Sequence, residues 1–348
     1  MSTIKDVARL AGVGVATASR ALSGNGSVSE ATARRVRDAA TALDYRPSVT
    51  ARALSLQQSN AIGVYVPGFD GHFYSGIVST IDGVLRSVGR HMIAASGCGI
   101  GTTRQLDLDG IDFLIGRDCD GLIVASNSLD DDDLERLMER VPTLVAMNRK
   151  LTVHGDNTFC ADHHAGGRLA ARALLSRGHR TIATVRGPRD TPDNEARLSG
   201  FNDELARHGL RVLPEHSAEG NFLLPSGDAA ARELLAAAPG GRPAFSAIFV
   251  ANDVMALALI SRLVQAGLRV PEDVSVLGYD DDEFAPYTSP PLTTIRQPLA
   301  EMGALAARTI LRLSRGESIE TPRVELVTKL IVRESTKTLA ETRVQTAA

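Results

Sequence analysis

Few residues in this 348-residue chain stand in a pattern that could do chemistry. The run Gly97-Cys98-Gly99-Ile100-Gly101 follows an apolar stretch and is the best case for a nucleotide site, yet it lacks the third glycine at the fingerprint position. Asp162-His163-His164 offers metal-binding side chains without a fourth partner at zinc spacing, which favours a hinge or the edge of a cleft. Asp130 to Asp133 precedes Leu134 and suits a helix N-terminus, where carboxylates oppose the dipole; the alternation and central glycine of a calcium loop are absent. Cys98, Cys119 and Cys160 are odd in number and in no C-x-x-C pair, so they read as reduced thiols, outside any disulfide framework or zinc site. No Ser/His/Asp set and no paired carboxylates are legible. No metal and no cofactor are expected.

Elements must position whatever is bound. The length leaves room for two or three domains at roughly 100–200 residues each. With 43% hydrophobic and 23% charged residues the chain can bury sizeable cores, which excludes disorder as its main theme. No run approaches the roughly 18–20 apolar residues of a spanning helix, and the start MSTIKDVARLAG lacks a basic then apolar leader, so a cytoplasmic location and no membrane partner are expected. The net charge of -3 divides unevenly: residues 1–59 carry +4 and the remainder -7. A small basic module is fused to a larger acidic one, and the basic part suggests a polyanion partner.

In the basic module, Thr3 precedes Ile4, Val7, Ala8 and Ala11, apolar positions on one helical face, and Asp6 completes a T-x-x-D capping box. Gly12 ends that helix, and Val15 to Leu22 forms a second with Ala18, Ala21 and Leu22 for its buried side. Ser29 is placed to cap a third helix that continues through Ala33, Val36, Ala40 and Leu43. Two short helices around a glycine turn, braced by a third, make a helix-turn-helix. The A-G-V-G string is no dinucleotide loop, because no apolar strand precedes Gly12.

The segment TIKDVARLAGVGVATASRALSGNGSVSEATARRVRDAATALDYRPSVTARAL resembles, without gaps, the N-terminal module of the LacI/GalR family of bacterial transcription regulators, with wording closest to its galactose-repressor branch. The resemblance implies that Val15 and Ala16 face base edges in the major groove, with Arg20 following. Val15 and Ala16 can offer only apolar contact, suited to thymine methyls, while Arg20 could take a guanine bidentately. Gly14 departs from the family's usual serine cap, a small loss. Thr3, Thr17, Ser19, Asn25 and Ser29 are then candidates for phosphate or loop contacts. Tyr45-Arg46-Pro47 and SVTARAL match the family's hinge: Pro47 stops the third helix and Ser48 can cap a short one. Resemblance implies that two hinges pair in the minor groove, with Leu54 as the wedge, Ala51 on the groove floor and Arg52 supplying charge nearby.

From Ala61 short apolar strands alternate with helices, the mark of parallel βαβ sheets. Residues 62–66, 91–96, 121–126 and 143–148 supply one sheet; 181–186, 246–253 and 274–281 begin another, and 323–333 closes the chain. This resembles the family's α/β two-lobed, periplasmic-binding-protein-like domain of doubly wound parallel sheets, joined here to the all-α reader. The expected division is 1–46 for the helix-turn-helix, 47–59 for hinge and linker, 61–334 for the effector and dimerisation domain, and 335–348 for a polar tail. Within the large domain the lobes fall near 61–161 and 162–290, with the chain crossing back at 291–325.

Such sheets bind ligands beyond the carboxyl ends of their strands. By resemblance, Phe73 lies in GFDGHFY, where Gly68, Gly71 and His72 replace the family's Asp, Asn and Pro. Asn148 ends the fourth strand beside Arg149, as in the galactose branch. Arg197 matches the ligand-contacting arginine, Phe222 falls near the ring-stacking aromatic, and Asn252 and Asp280 match two strand-end polar contacts. This set suits a polyhydroxylated ring, so a sugar-like effector is implied. Alternatives stand beside it: Asn252-Asp253 as a helix cap and Asp280 to Glu283 as a solvated turn. The expected protein is a homodimeric repressor of sugar-utilisation genes on a pseudo-palindromic double-stranded DNA operator, its affinity set by the effector. A solute-binding protein would need a leader where the reader stands, and a nicotinamide enzyme would need the weak glycine run to bind.

Overall fold

The computed structural model describes residues 2–23, 27–45, 59–69, 72–97, 103–126, 128–151, 155–189, 191–237, 242–319 and 325–339. Asn25, Ala51, Arg52 and Leu54, the hinge segment and Cys98 to Gly101 lie outside the described residues. The chain divides into two compact units, Met1–Ala61 and Ile62–Ala348.

The first unit holds α1 (Ile4–Ala11), α2 (Val15–Ser23) and α3 (Glu30–Ala42). Thr3 and Asp6 form the reciprocal capping box, satisfying two N–H groups that open α1. Gly12 ends α1 at φ 66°, a left-handed conformation that costs glycine little. The carbonyl of Gly14 then accepts from Thr17 and Ala18 N–H, both at 2.9 Å, and starts α2 without a side-chain cap. Val7, Ala8, Ala11, Ala18, Val36, Ala39 and Ala40 close the core. Alanine at most of these positions lets three helices, none stable alone, approach closely. Ser29 departs from expectation. It precedes α3 in extended conformation, but makes no cap bond to the backbone; its hydroxyl donates to Thr32 Oγ1 at 3.0 Å.

The second unit contains β1 (Ala61–Val66, its first residue shared with the boundary), β2 (His91–Ser96), β3 (Gly121–Ala125), β4 (Leu144–Met147), β5 (Thr158–Ala161), β6 (Ile182–Arg186), β7 (Ser217–Glu219), β8 (Ala247–Val250), β9 (Ser275–Asp280), β10 (Thr293–Arg296), β11 (Glu325–Leu326) and β12 (Lys329–Ile331). They form two six-stranded sheets, ordered β11-β5-β4-β3-β1-β2 and β12-β10-β9-β8-β6-β7. β3 pairs in parallel with β1 and β4, β8 in parallel with β6 and β9, and β12 runs antiparallel to β10. The central strands are buried throughout, as sheets covered by helices on both faces require.

Topology puts the lobe crossings in one place. Helix 163–175 follows β5 yet packs in the second lobe's core, through Ala170 and Leu174. Helix 299–313 follows β10 but joins the first lobe, where Met302, Ala306 and Ile310 pack with Ile62 and Val64. The closing segment 323–333 is divided between the sheets, β11 in one and β12 in the other. The chain thus passes between lobes at Asp162, near Gln297 and near Thr328, each just beyond a strand's carboxyl end. Residues 335–339, expected to open a polar tail, dock on the second sheet instead. Ser335 is fully buried, donating to the Val276 carbonyl and accepting from Thr293 N–H. Among the described residues no helix is long and apolar enough to cross a membrane.

Candidate functional site

Two surfaces collect the singled-out residues, one in each unit. On α2, Ala18 is fully enclosed while Val15, Ala16, Ser19 and Arg20 are exposed and Thr17 is half-buried. One alanine at the helix crossing is what turns the rest outward. Val15 is 44% exposed, a β-branched apolar side chain at the first turn of a helix in a basic unit. Arg20 leans back along the helix, its Nε donating to the Ala16 carbonyl at 3.3 Å. Thr3 is exposed, but its hydroxyl donates to Asp6 Oδ2 at 2.7 Å, so it is first a capping residue. Those Thr3 bonds, with Arg9 nearby, hold the Asp6 carboxyl below its usual range.

In the second unit a cavity of about 290 Å³ opens where the strands end. Asn148 and Arg149 border it after β4, Asp162 and His163 after β5, and Asp193 from helix 192–207. Asn148 is buried with φ 59°, a conformation asparagine tolerates, and its N–H donates to the Phe159 carbonyl at 2.9 Å. Its Oδ1 is buried without a partner among the described residues, and its side chain lies near enough to the Tyr74 hydroxyl to favour that group's ionised form. Burial, with Asp193 and Asp107 nearby, pushes the Tyr74 hydroxyl above its ordinary pKa.

Arg197 is the largest fully buried side chain of the chain's described part. Its guanidinium lies 3.7 Å over the Tyr279 ring, donates to the Ala251 carbonyl and sits 3.7 Å from Asp193. Nη2 also approaches His163 Nδ1 at 3.4 Å, and Tyr279 Oη lies 3.3 Å from the same nitrogen. Burial and then the Arg197 charge lower the His163 pKa to about 4, so the imidazole is neutral near pH 7. A guanidinium only donates, so Nδ1 is the accepting nitrogen and Nε2 carries the proton. Among the described residues Nε2 has no partner, and neither has Arg197 Nε.

The other expected contacts are occupied within the protein. Asn252 caps helix 253–265 by accepting from Met255 N–H and donates to the Phe222 carbonyl, so its helix-cap alternative is the one seen. Asp280 is buried and accepts from Gln297 Nε2 at 2.7 Å, which corrects the solvated-turn alternative. Burial raises its pKa, with Asp282 and Asp193 adding to it against the pull of Arg197. Phe222, at φ 68°, lies over Gly187, where a Cβ would come within 2.3 Å of the ring. Phe73 packs edge-to-face on Tyr74 and against the first lobe's core. Of the six expected effector contacts, Asn148 alone borders the cavity, and Arg197 touches the bordering His163 and Asp193. The structure adds Asp193 at the cavity and Gln297 behind it on Asp280, and it brings Arg149, already noted beside Asn148, to the cavity wall. Gln297 could have been sought in the sequence, as a polar residue beyond a strand in the crossing segment.

Residues 3–48 match the family described as bacterial regulatory proteins, lacI family, and residues 171–336 match a periplasmic binding protein-like domain. The ribose operon repressor of Escherichia coli (strain K12) is 35% identical over 337 residues, covering 96% of this chain and 100% of that protein. The crystal structure of the lac repressor dimer bound to operator and the anti-inducer ONPF superposes with a TM-score of 0.85 at 30% identity, over 97% of this chain and 99% of that one. The complex of the transcriptional regulator CelR with cellobiose gives a TM-score of 0.70 at 35% identity, over 96% and 100%. Identities of this size do not single out a galactose-repressor branch. The helix-turn-helix, the two-lobed domain and these matches along nearly the whole length make the chain a member of the lacI family of bacterial regulatory proteins.

Proposed function

We propose that the protein is a cytoplasmic, homodimeric repressor of sugar-utilisation genes that releases or tightens on its operator when a sugar-like effector occupies the cleft. The observation that carries the reading is the cleft wall: unpartnered buried atoms on Asn148 and His163 stand where the lobes cross over. Buried polar atoms are ordinarily satisfied, so an unsatisfied pair at a cavity wall marks where a polar ligand supplies the missing bonds. The relative named for the ribose operon and the CelR complex with cellobiose support a sugar.

Residues 1–46 act as the reader, 47–59 as the hinge and 61–334 as the sensor. Val15, Ala16 and Arg20 meet base edges, while Thr17, Ser19, Asn25, Ser29 and Thr3 hold the backbone register. Leu54 wedges the central step, with Ala51 and Arg52 beside it. Residues 47–59 are too few to form a helix that is stable by itself. A change in lobe angle worth about 1.4 kcal/mol of coupling therefore shifts DNA affinity tenfold. Titration of the full-length protein on its own upstream DNA, with and without sugars, tests the reading. Binding that ignores salt and half-site scrambling would overturn it.

A further inference from the structure

We infer that the cleft is built for an uncharged polyhydroxylated ligand and rejects its phosphorylated and acidic counterparts, with His163 donating to a ligand hydroxyl. The inference rests on reading the cleft as the effector site. It begins with the charges around the cavity. Asp131, Asp162, Asp193 and Glu325 border it against Arg149 and Lys150. Each cation there already has a carboxylate: Arg149 has Asp131 at 3.8 Å, Lys150 has Glu325, and Arg197 behind the wall has Asp193. Asp162 caps a helix by accepting from Ala165 N–H at 2.8 Å and has no ion pair among the described residues. The surplus facing the cavity is negative, so a phosphate or carboxylate entering it meets repulsion and displaces an existing pair.

The unpartnered atoms agree. His163 Nε2 and Arg149 Nε are donors, whereas Asn148 Oδ1 is an acceptor. A hydroxyl both donates and accepts and can satisfy either kind; an anion accepts only and would stand against Asn148 Oδ1. Arg197 and Tyr279 hold the imidazole from its Nδ1 side, which fixes the proton on Nε2. His163 is thus a specificity-determining residue that is oriented before the ligand arrives.

The test is calorimetric titration of the full-length protein with D-glucose, D-galactose, D-ribose and cellobiose, beside glucose 6-phosphate, galactose 6-phosphate, ribose 5-phosphate and glucuronate. Adenine and hypoxanthine form a non-sugar arm. At least one neutral sugar is expected to bind ten-fold or more tightly than its charged counterpart. His163→Ala should weaken it at least ten-fold, and His163→Gln, whose amide can donate, should recover part of the loss. Thermal melts of both variants verify that they fold. A charged sugar binding as tightly as its neutral form, or a folded His163→Ala variant binding normally, would overturn the inference and leave the sugar reading standing. Binding of a purine, or of nothing in the panel, would remove the sugar reading itself and this inference with it.

Discussion

The Arg197 guanidinium is stacked on the Tyr279 ring, with the arginine 2% exposed and the tyrosine fully enclosed. A charge this deep persists only with compensation, and it has three kinds: the ring face, the Ala251 carbonyl and the carboxylate of Asp193. Arg197→Met should cost about 3 kcal/mol of stability, because it strands Asp193 beside the buried Asp280. Arg197→Lys should fall between, keeping the charge while losing the planar stack. Urea denaturation gives the order, and two variants within about 0.5 kcal/mol of the parent would show the stack to be incidental.

In the helical unit, reading and folding fall on different residues. Arg20→Ala removes an exposed side chain, so helix content should stay constant while operator affinity drops by about 1–3 kcal/mol, with the loss confined to one base pair of each half-site. Thr3→Ala breaks the capping box and should cost about 1 kcal/mol of this unit's stability with little base dependence. Anisotropy titrations on base-substituted operators, paired with thermal melts, separate the two. An equal loss on every sequence would assign Arg20 to the phosphates.

The helical unit was legible because its signals are local: a cap, a glycine stop and one apolar face per helix. The long apolar strands read equally well. β5, β7 and β10 did not, being only three or four residues long with polar residues among them. The splitting of 323–333 between two sheets is likewise a matter of tertiary pairing. At the cleft, strand-end position marked the right neighbourhood but could not say which polar groups were already spoken for. Asn252 is consumed by Met255 N–H and the Phe222 carbonyl, and Asp280 by Gln297. His163 is half of a two-histidine pair whose partner takes another route, His164 pairing with Asp203 at 2.9 Å. Only its contacts with Arg197 and Tyr279 single it out.

Asp280 gives the stability a pH dependence of defined sign. Burial, with the nearby carboxylates of Asp282 and Asp193, raises its pKa to about 8 from 3.8, while Arg197 and Gln297 pull it the other way. Between those values the folded protein holds a proton that the unfolded chain has released, so stability falls as pH rises through the window. Asp253, also buried and raised, adds in the same direction. Asp280→Asn should therefore flatten the profile between about pH 4 and 8 and gain most over the parent at its upper end. Melting temperatures across that range are the measurement, and parallel curves would place the slope elsewhere.

Glu204 acts with the opposite sign. Its side chain is 5% exposed on helix 192–207 and accepts from Arg172 Nε at 2.8 Å and Arg168 Nε at 3.1 Å, both on helix 163–175. The Arg172 bond and then that of Arg168 draw its pKa down to about 2 from 4.5 against the cost of burial. The stabilisation is thus present above the unfolded value and lost as pH falls from about 4.5 toward 2. Both arginines reach solvent, which screens the pair and trims its worth to about 2 kcal/mol. Glu204→Gln should lose that amount at neutral pH, and the difference should shrink with added salt and close as acid protonates the parent. A variant that stays destabilised by the same amount near pH 2 would mean that the shape of the amide, not the missing charge, is what the two helices resist.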